Sequence, residues 1–96
     1  MTVETHPYDS ARYLDDDETI AAYMDEAFKT GDPAFITHAL GVVARARGMT
    51  QIARDAGISR ESLYRALGEN GNPEFATVVK VMRALGLRLG AEVEAA

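Results

Sequence analysis

The chain has 96 residues, a formal net charge of −5 at pH 7, no cysteine, 47% hydrophobic residues and 26% charged residues. This composition is that of one globular domain, and a chain without cysteine cannot form a disulfide framework or a thiolate metal site. The sequence contains no long apolar run, so we expect neither a signal peptide nor a membrane span, and we expect a cytoplasmic protein.

The charge is unevenly distributed along the chain. Residues 1–32 contain nine acids and two bases, a net charge of −7. Residues 45–65 contain five arginines and two acids, a net charge of +3. This asymmetry predicts two partners of opposite charge, and we take residues 1–32 as an acidic N-terminal extension of a domain formed by residues 33–96.

The first predicted helix lies in the acidic extension. Ile20, Met24 and Phe28 recur at helical spacing after the acidic run of residues 15–18, and Gly31 suits the helix end. Such an apolar stripe has two interpretations, which the sequence leaves open. It either packs on the rest of the domain or binds a partner protein.

The second predicted helix begins with favourable start signals. Asp32 is a suitable N-cap, and Pro33 suits the first helical position. Gly41 within this helix permits close packing of another element, and Gly48 is expected to end the helix.

Two short helices follow, at about residues 50–56 and 60–67. Helices of this length are marginal in isolation, so tertiary packing must hold them. Gly57 can adopt the positive φ of a sharp turn between them, and Ser59 can cap the second helix. A loop of turn-forming residues, 68–73, comes next.

The last predicted helix has the apolar stripe Phe75, Val78, Val79, Met82 and Leu85, and ends at Gly86. Apolar and polar residues then alternate, which is typical of a strand, and such a strand would pair with its copy in a second subunit. The alternative is an irregular tail. We therefore predict an all-α fold with a possible short C-terminal strand, and a homodimer with its contact at Leu87, Leu89 and Val93.

The second short helix carries polar side chains at positions that do not face the core. Side chains of these types bind base edges and phosphates when a helix enters the major groove of DNA. The alternative is a solvated corner that never contacts DNA. The predicted DNA-binding residues of this helix are Arg60, Glu61, Ser62, Tyr64 and Arg65. Gln51, at the start of the preceding helix, is predicted to contact a backbone phosphate.

The segment "MTQIARDAGISRESLYRAL…NPEFATVVKVMRALGL" resembles the helix-turn-helix of the lambda repressor/Cro (XRE) family. The longer segment from "YLDDDETIAAYMDEAF" through "GDPAF" and "ARARGM" is similar to HigA-like addiction-module antidotes, so the resemblance spans about residues 13–89. It implies a lambda repressor-like fold. The DNA-binding residues that it implies are Gln51, Ser59, Arg60, Ser62, Tyr64 and Arg65. It also implies the antitoxin of a type II toxin–antitoxin module, which neutralises a small basic toxin of the RelE/HigB kind and represses its own operon as a dimer.

One position departs from the wider repressor family. Many of those proteins begin the recognition helix with glutamine, whereas this chain has Arg60 and Glu61 there. Arginine reads guanine, so the base preference should differ, and Glu61 would position Arg60 or Arg65.

The acidic extension is the candidate toxin-binding segment, because opposite charge steers a basic partner and amphipathic helices dock into grooves. The predicted toxin-binding residues are Tyr13, Ile20, Tyr23, Met24 and Phe28.

The sequence also bears on three other functions. An enzyme is not expected, because His6 and His38 have no nucleophile or metal-ligand partner at useful spacing, and no cofactor is implied. A phage-like repressor without a toxin, and a protein-interaction module that does not bind DNA, both remain open.

Overall fold

The computed structural model describes residues 16–95, and these residues form five helices: α1 (Asp17–Lys29), α2 (Pro33–Arg47), α3 (Met49–Ala56), α4 (Arg60–Leu67) and α5 (Phe75–Ala84). α2 packs against α1, α3 and α4, and α3 also packs against α4 and α5. No helix in this part of the chain has the length and apolar character needed to cross a membrane. The all-α prediction is confirmed for the described residues.

The first two helices begin at capping aspartates. The Asp16 carboxylate accepts hydrogen bonds from the Thr19 amide (2.7 Å) and the Thr19 hydroxyl (3.0 Å), and these bonds lower the pKa of Asp16 below its usual value. Asp32 accepts a hydrogen bond from the Ala34 amide at 3.0 Å, and Pro33 is the first residue of α2. The predicted start of α2 is confirmed.

α1 is part of the hydrophobic core formed by the described residues. Ile20 and Met24 are 0% and 1% exposed, and Ala27 is buried beside them. They share one cluster with buried residues of every other helix, so the boundary predicted at residue 32 does not separate α1 from the rest of the core. The other large side chains of this cluster are Leu40, Val43, Met49, Ile52, Leu63, Leu67, Val81, Met82 and Leu85.

Gly41 lies where α2 passes close to the end of α4. A Cβ atom at this position would lie 2.9 Å from the Leu67 carbonyl oxygen, which belongs to backbone and cannot rotate away. The close packing predicted from this glycine is confirmed.

The predicted C-terminal strand is wrong for the described residues, since the segment after α5 has no regular structure. The Leu87 amide donates a hydrogen bond to the Met82 carbonyl (2.8 Å), which turns the chain back onto the domain after Gly86. Leu87 and Leu89 are half-buried against the core, while Val93 is 99% exposed. The alternating pattern therefore reflects packing of two leucines on their own chain.

The buried face of α5 is rotated relative to the predicted stripe. Phe75 is 74% exposed and does not belong to the core, whereas Val81, which the stripe omitted, is fully buried. The face that packs consists of Val78, Val81, Met82 and Leu85, which are spaced i, i+3, i+4 and i+7.

Candidate nucleic-acid interface

α3 and α4 are joined by the three residues 57–59, and we call this unit the helix pair. Gly57 has φ 73°, and its amide donates to the Arg54 carbonyl at 3.2 Å. The Ile58 amide donates to the Ala53 carbonyl at 3.0 Å, and the Ile58 side chain packs against the core. These two bonds form a Schellman motif, which satisfies carbonyls at the end of α3 and fixes the direction of the turn.

α4 is fixed at its start and along one face. Ser59 accepts a hydrogen bond from the Ser62 amide at 3.0 Å, and its hydroxyl donates to the Ser62 hydroxyl at 2.8 Å. Leu63 and Leu67 are 0% and 2% exposed and bind the helix to the core. The predicted cap and the predicted bounds of α4 are both confirmed, and the remaining faces of the helix are open to solvent.

Every residue predicted to contact DNA is exposed on the helix pair. Gln51 lies on α3, Ser59 precedes α4, and the other five lie on α4 itself. Their exposure makes a nucleic-acid contact possible, while the contact itself remains a prediction. These residues are Gln51, Ser59, Arg60, Glu61, Ser62, Tyr64 and Arg65.

Arg60 and Tyr64 form a pair that was not predicted from the sequence. The Arg60 Cζ atom lies 5.3 Å from the centroid of the Tyr64 ring, and Arg60 Nη2 lies 3.5 Å from the Tyr64 hydroxyl, at the long limit of a hydrogen bond. Their i, i+4 spacing was the available signal. Among the described residues, Glu61 has no ion pair with Arg60 or Arg65, so its predicted positioning role has no support in this conformation.

Gln51 already has a partner within its own helix. Its amide Nε2 donates to the Asp55 carboxylate at 2.9 Å. This bond uses one of the two N–H groups of the amide, and the other remains available for the predicted phosphate contact.

The positive charge near the helix pair comes from arginines that are exposed, with one exception. Arg45 and Arg54 are exposed, as are the two arginines of α4. Arg47 instead pairs with Asp17 of α1 at 2.6 Å, and its side chain is only 30% exposed. Arg47 thus ties the start of α1 to the end of α2 and adds little to the charge available to a ligand.

The exposed side of α1 is acidic. Asp17, Glu18, Asp25 and Glu26 are all exposed. Lys29 Nζ lies 3.1 Å from Glu26 and 3.5 Å from Asp25, and the hydrogen bond and charge of Glu26 contribute most to raising the pKa of Lys29 above its usual value. Because the one base of α1 is already paired, the surface of this helix presents net negative charge.

The residues predicted to bind toxin fall into three groups. Ile20 and Met24 are core residues and offer no surface to a partner in this fold, which corrects their assignment. Tyr23 and Phe28 are half-buried against the core, and Phe28 lines a groove between α1 and the segment after α5. Tyr13 lies outside the described residues.

These features describe a small helical protein with a basic, exposed helix pair and an acidic first helix. A sequence profile of the family described as "probable addiction module antidote protein" matches residues 4–93. The chain belongs to this family, and membership supports an antitoxin role with a toxin as the implied partner.

The chain is also similar to an uncharacterized protein of Haemophilus influenzae. The two are 52% identical over 88 residues, which cover 92% of this chain and 91% of that protein. No solved structure matches the chain.

Proposed function

We propose that this antitoxin acts through two surfaces, without catalytic activity of its own. The helix pair is a helix-turn-helix of the XRE type that represses the protein's own operon by sequence-specific DNA binding. The acidic side of α1 binds a small basic toxin of the RelE/HigB kind in a type II toxin–antitoxin module.

The observation that carries the DNA-binding half is the geometry of α4. A Schellman turn and a serine cap fix this short helix. Leu63 and Leu67 are buried on one face, and Arg60, Tyr64 and Arg65 are exposed. A helix held in this way can enter a major groove, with the residues of its first turn at base edges. A net charge of −5 does not oppose this, because the negative charge is concentrated in α1 and the preceding residues.

The toxin-binding half rests on the family and on charge. Antidotes of addiction modules imply a toxin partner. The exposed acids of α1 suit a basic protein, and the half-buried Tyr23 and Phe28 supply apolar area beside them.

We further propose that the chain works as a homodimer, because a dimer would place two copies of α4 on two half-sites of an operator. Light scattering measures this state directly. Of the three residues first assigned to the contact, only Val93 is fully available to a second copy, because Leu87 and Leu89 pack on their own chain.

The test is binding to DNA from upstream of the protein's own gene. Fluorescence anisotropy across a salt series, with a scrambled duplex as control, should show tighter binding to the upstream DNA and a loss of affinity with salt. Arg65→Ala should weaken binding to both duplexes and reduce the salt slope by about one. Arg88→Ala removes an equal charge from an exposed position after α5 and is the matched control.

Two results would count against this half of the proposal. Equal affinity for the upstream and scrambled duplexes would exclude sequence-specific repression by this chain. An unchanged salt slope in Arg65→Ala would show that Arg65 makes no phosphate contact and would contradict the placement of α4 in the DNA interface. Either result would favour a protein-interaction module whose function lies in the acidic surface.

A further inference from the structure

The side chain of Arg60 is held over the ring of Tyr64, one turn further along α4. The Arg60 Cζ atom is 5.3 Å from the ring centroid, and Nη2 is 3.5 Å from the Tyr64 hydroxyl. Tyr64 is 43% exposed, so the two side chains form a cation–π pair on the outside of the helix.

The helix pair fixes the backbone that carries Arg60 and Tyr64. Ser59 caps the turn that contains Arg60, and Leu63 immediately precedes Tyr64 and is fully buried. The backbone beneath both side chains is therefore fixed, and the orientation of Arg60 depends on what its guanidinium contacts. Among the described residues that contact is Tyr64, since Arg60 has no ion pair with any of them.

A guanidinium reads guanine by presenting two N–H groups in one plane to O6 and N7. The Tyr64 ring and hydroxyl together restrict where the guanidinium lies, and the hydroxyl engages at most one of its five N–H groups, which leaves the others for a base. Less conformational freedom is then lost when the arginine meets the base.

We propose that Tyr64 is a positioning residue that sets base preference through Arg60. This inference rests on the proposed DNA binding, and it assigns Tyr64 an indirect role in place of a direct DNA contact. Glu61, the positioning candidate from the sequence, is adjacent to Arg60 along the helix, and neighbours at i, i+1 do not face each other.

The test combines Tyr64→Phe, Tyr64→Leu and Arg60→Ala with a panel of upstream duplexes in which each G·C pair is replaced in turn by A·T. Arg60→Ala should abolish discrimination at one or two guanines. Tyr64→Leu should reduce discrimination at the same guanines by about 2- to 5-fold, the scale of an exposed cation–π contact. Tyr64→Phe keeps the ring and should retain most of it.

A double-mutant cycle separates an indirect role from a direct one. If Tyr64 acts through Arg60, Tyr64→Leu should have no effect on discrimination in the Arg60→Ala background. The same loss in both backgrounds, or an equal loss for all duplexes, would overturn the proposal and make Tyr64 a DNA contact.

A measurement without DNA distinguishes failure of the proposed DNA binding from failure of the positioning role of Tyr64. The position of Arg60 over the ring should shift its side-chain proton resonances upfield in the free protein, and Tyr64→Leu should remove this shift. If the shift is present but the parent protein does not prefer the upstream DNA, the proposed function fails and the reading role of the pair fails with it. If the DNA preference is present but the shift is absent, the positioning role alone is wrong.

Discussion

At the scale of single residues, Gly57 carries the backbone conformation on which the helix pair depends. Its φ of 73° is in the left-handed region, and a Cβ atom there would meet no other atom within 4 Å. Gly57→Ala should therefore lower the free energy of unfolding through backbone strain alone, by about 1–2 kcal/mol. Urea denaturation followed by circular dichroism measures this change.

Gly90→Ala is the matched control, because its Cβ would also meet no atom within 4 Å, and no positive φ is involved. It should leave the unfolding midpoint close to that of the parent. Equal stability of the two variants would show that the turn relaxes without strain.

Asp16 is a titrating cap whose effect on stability has a defined sign. Hydrogen bonds from the Thr19 amide and hydroxyl lower the pKa of Asp16 in the folded protein. The pKa of an aspartate in the unfolded chain is about 3.9. The contribution of Asp16 to the free energy of unfolding is therefore fully present above about pH 4 and is lost as the pH falls through the lower pKa of the folded protein.

Asp16→Asn keeps a capping side chain but cannot titrate. The free energy of unfolding of this variant should fall less steeply with pH below about pH 4 than that of the parent. Denaturation curves at a series of acidic pH values test this. If the free energy of unfolding depends on pH equally in the two proteins, titration of Asp16 does not contribute to stability.

At the scale of elements, α1 contributes one face to the common core and is not an appended arm. Met24 is 1% exposed within the common core, so Met24→Ala should lower the free energy of unfolding by about 2–5 kcal/mol. Ala22→Gln changes an exposed position on the same helix and should stay within about 0.5 kcal/mol of the parent. A small effect of Met24→Ala, measured by thermal or urea unfolding, would instead favour an appended arm.

The sequence predicts features that depend on residues close together in the chain better than features that depend on tertiary packing. The bounds of α4 and the start of α2 depend on caps and glycines within a few residues, and both were predicted correctly. The assignment of α1, Phe75 and the segment after α5 depends on which neighbour covers an apolar face. A periodic pattern does not contain that information, because an apolar stripe reads the same against a core or a partner.

The candidate site shows the same division. The exposed face of α4 could be predicted, since burial of Leu63 and Leu67 determines which side chains remain outside. The cation–π contact of Arg60 with Tyr64 and the pairing of Arg47 with Asp17 could not be predicted, because long polar side chains have several partners within reach. The ion pair with Asp17 explains why Arg47 is less exposed than the other arginines of residues 45–65.

At the scale of the whole molecule, opposite charges lie on different elements. α1 and α4 both pack against α2, but the acids of α1 and the arginines of α4 are exposed and lie outside this shared packing. Effects of substitutions at distant sites without shared partners add, so each surface should be removable without loss of the other.

The double variant Asp25→Lys, Glu26→Lys reverses charge on the exposed side of α1. It should abolish binding to a small basic protein encoded beside this gene and should retain upstream DNA binding, because like charges at an interface repel. Arg60→Ala should show the opposite behaviour, with toxin neutralisation retained in a growth-rescue assay and base preference lost.

The control for the charge reversal is Glu69→Lys, a change of the same kind in the exposed loop after α4. It should leave capture of the basic protein unchanged, since it leaves the acids of α1 in place. If Glu69→Lys weakens capture as much as the α1 variant does, overall charge and not a surface on α1 attracts the partner. If the α1 variant loses DNA binding and toxin neutralisation together while remaining folded, the two surfaces are coupled, and toxin binding would then regulate repression through the shared contact with α2.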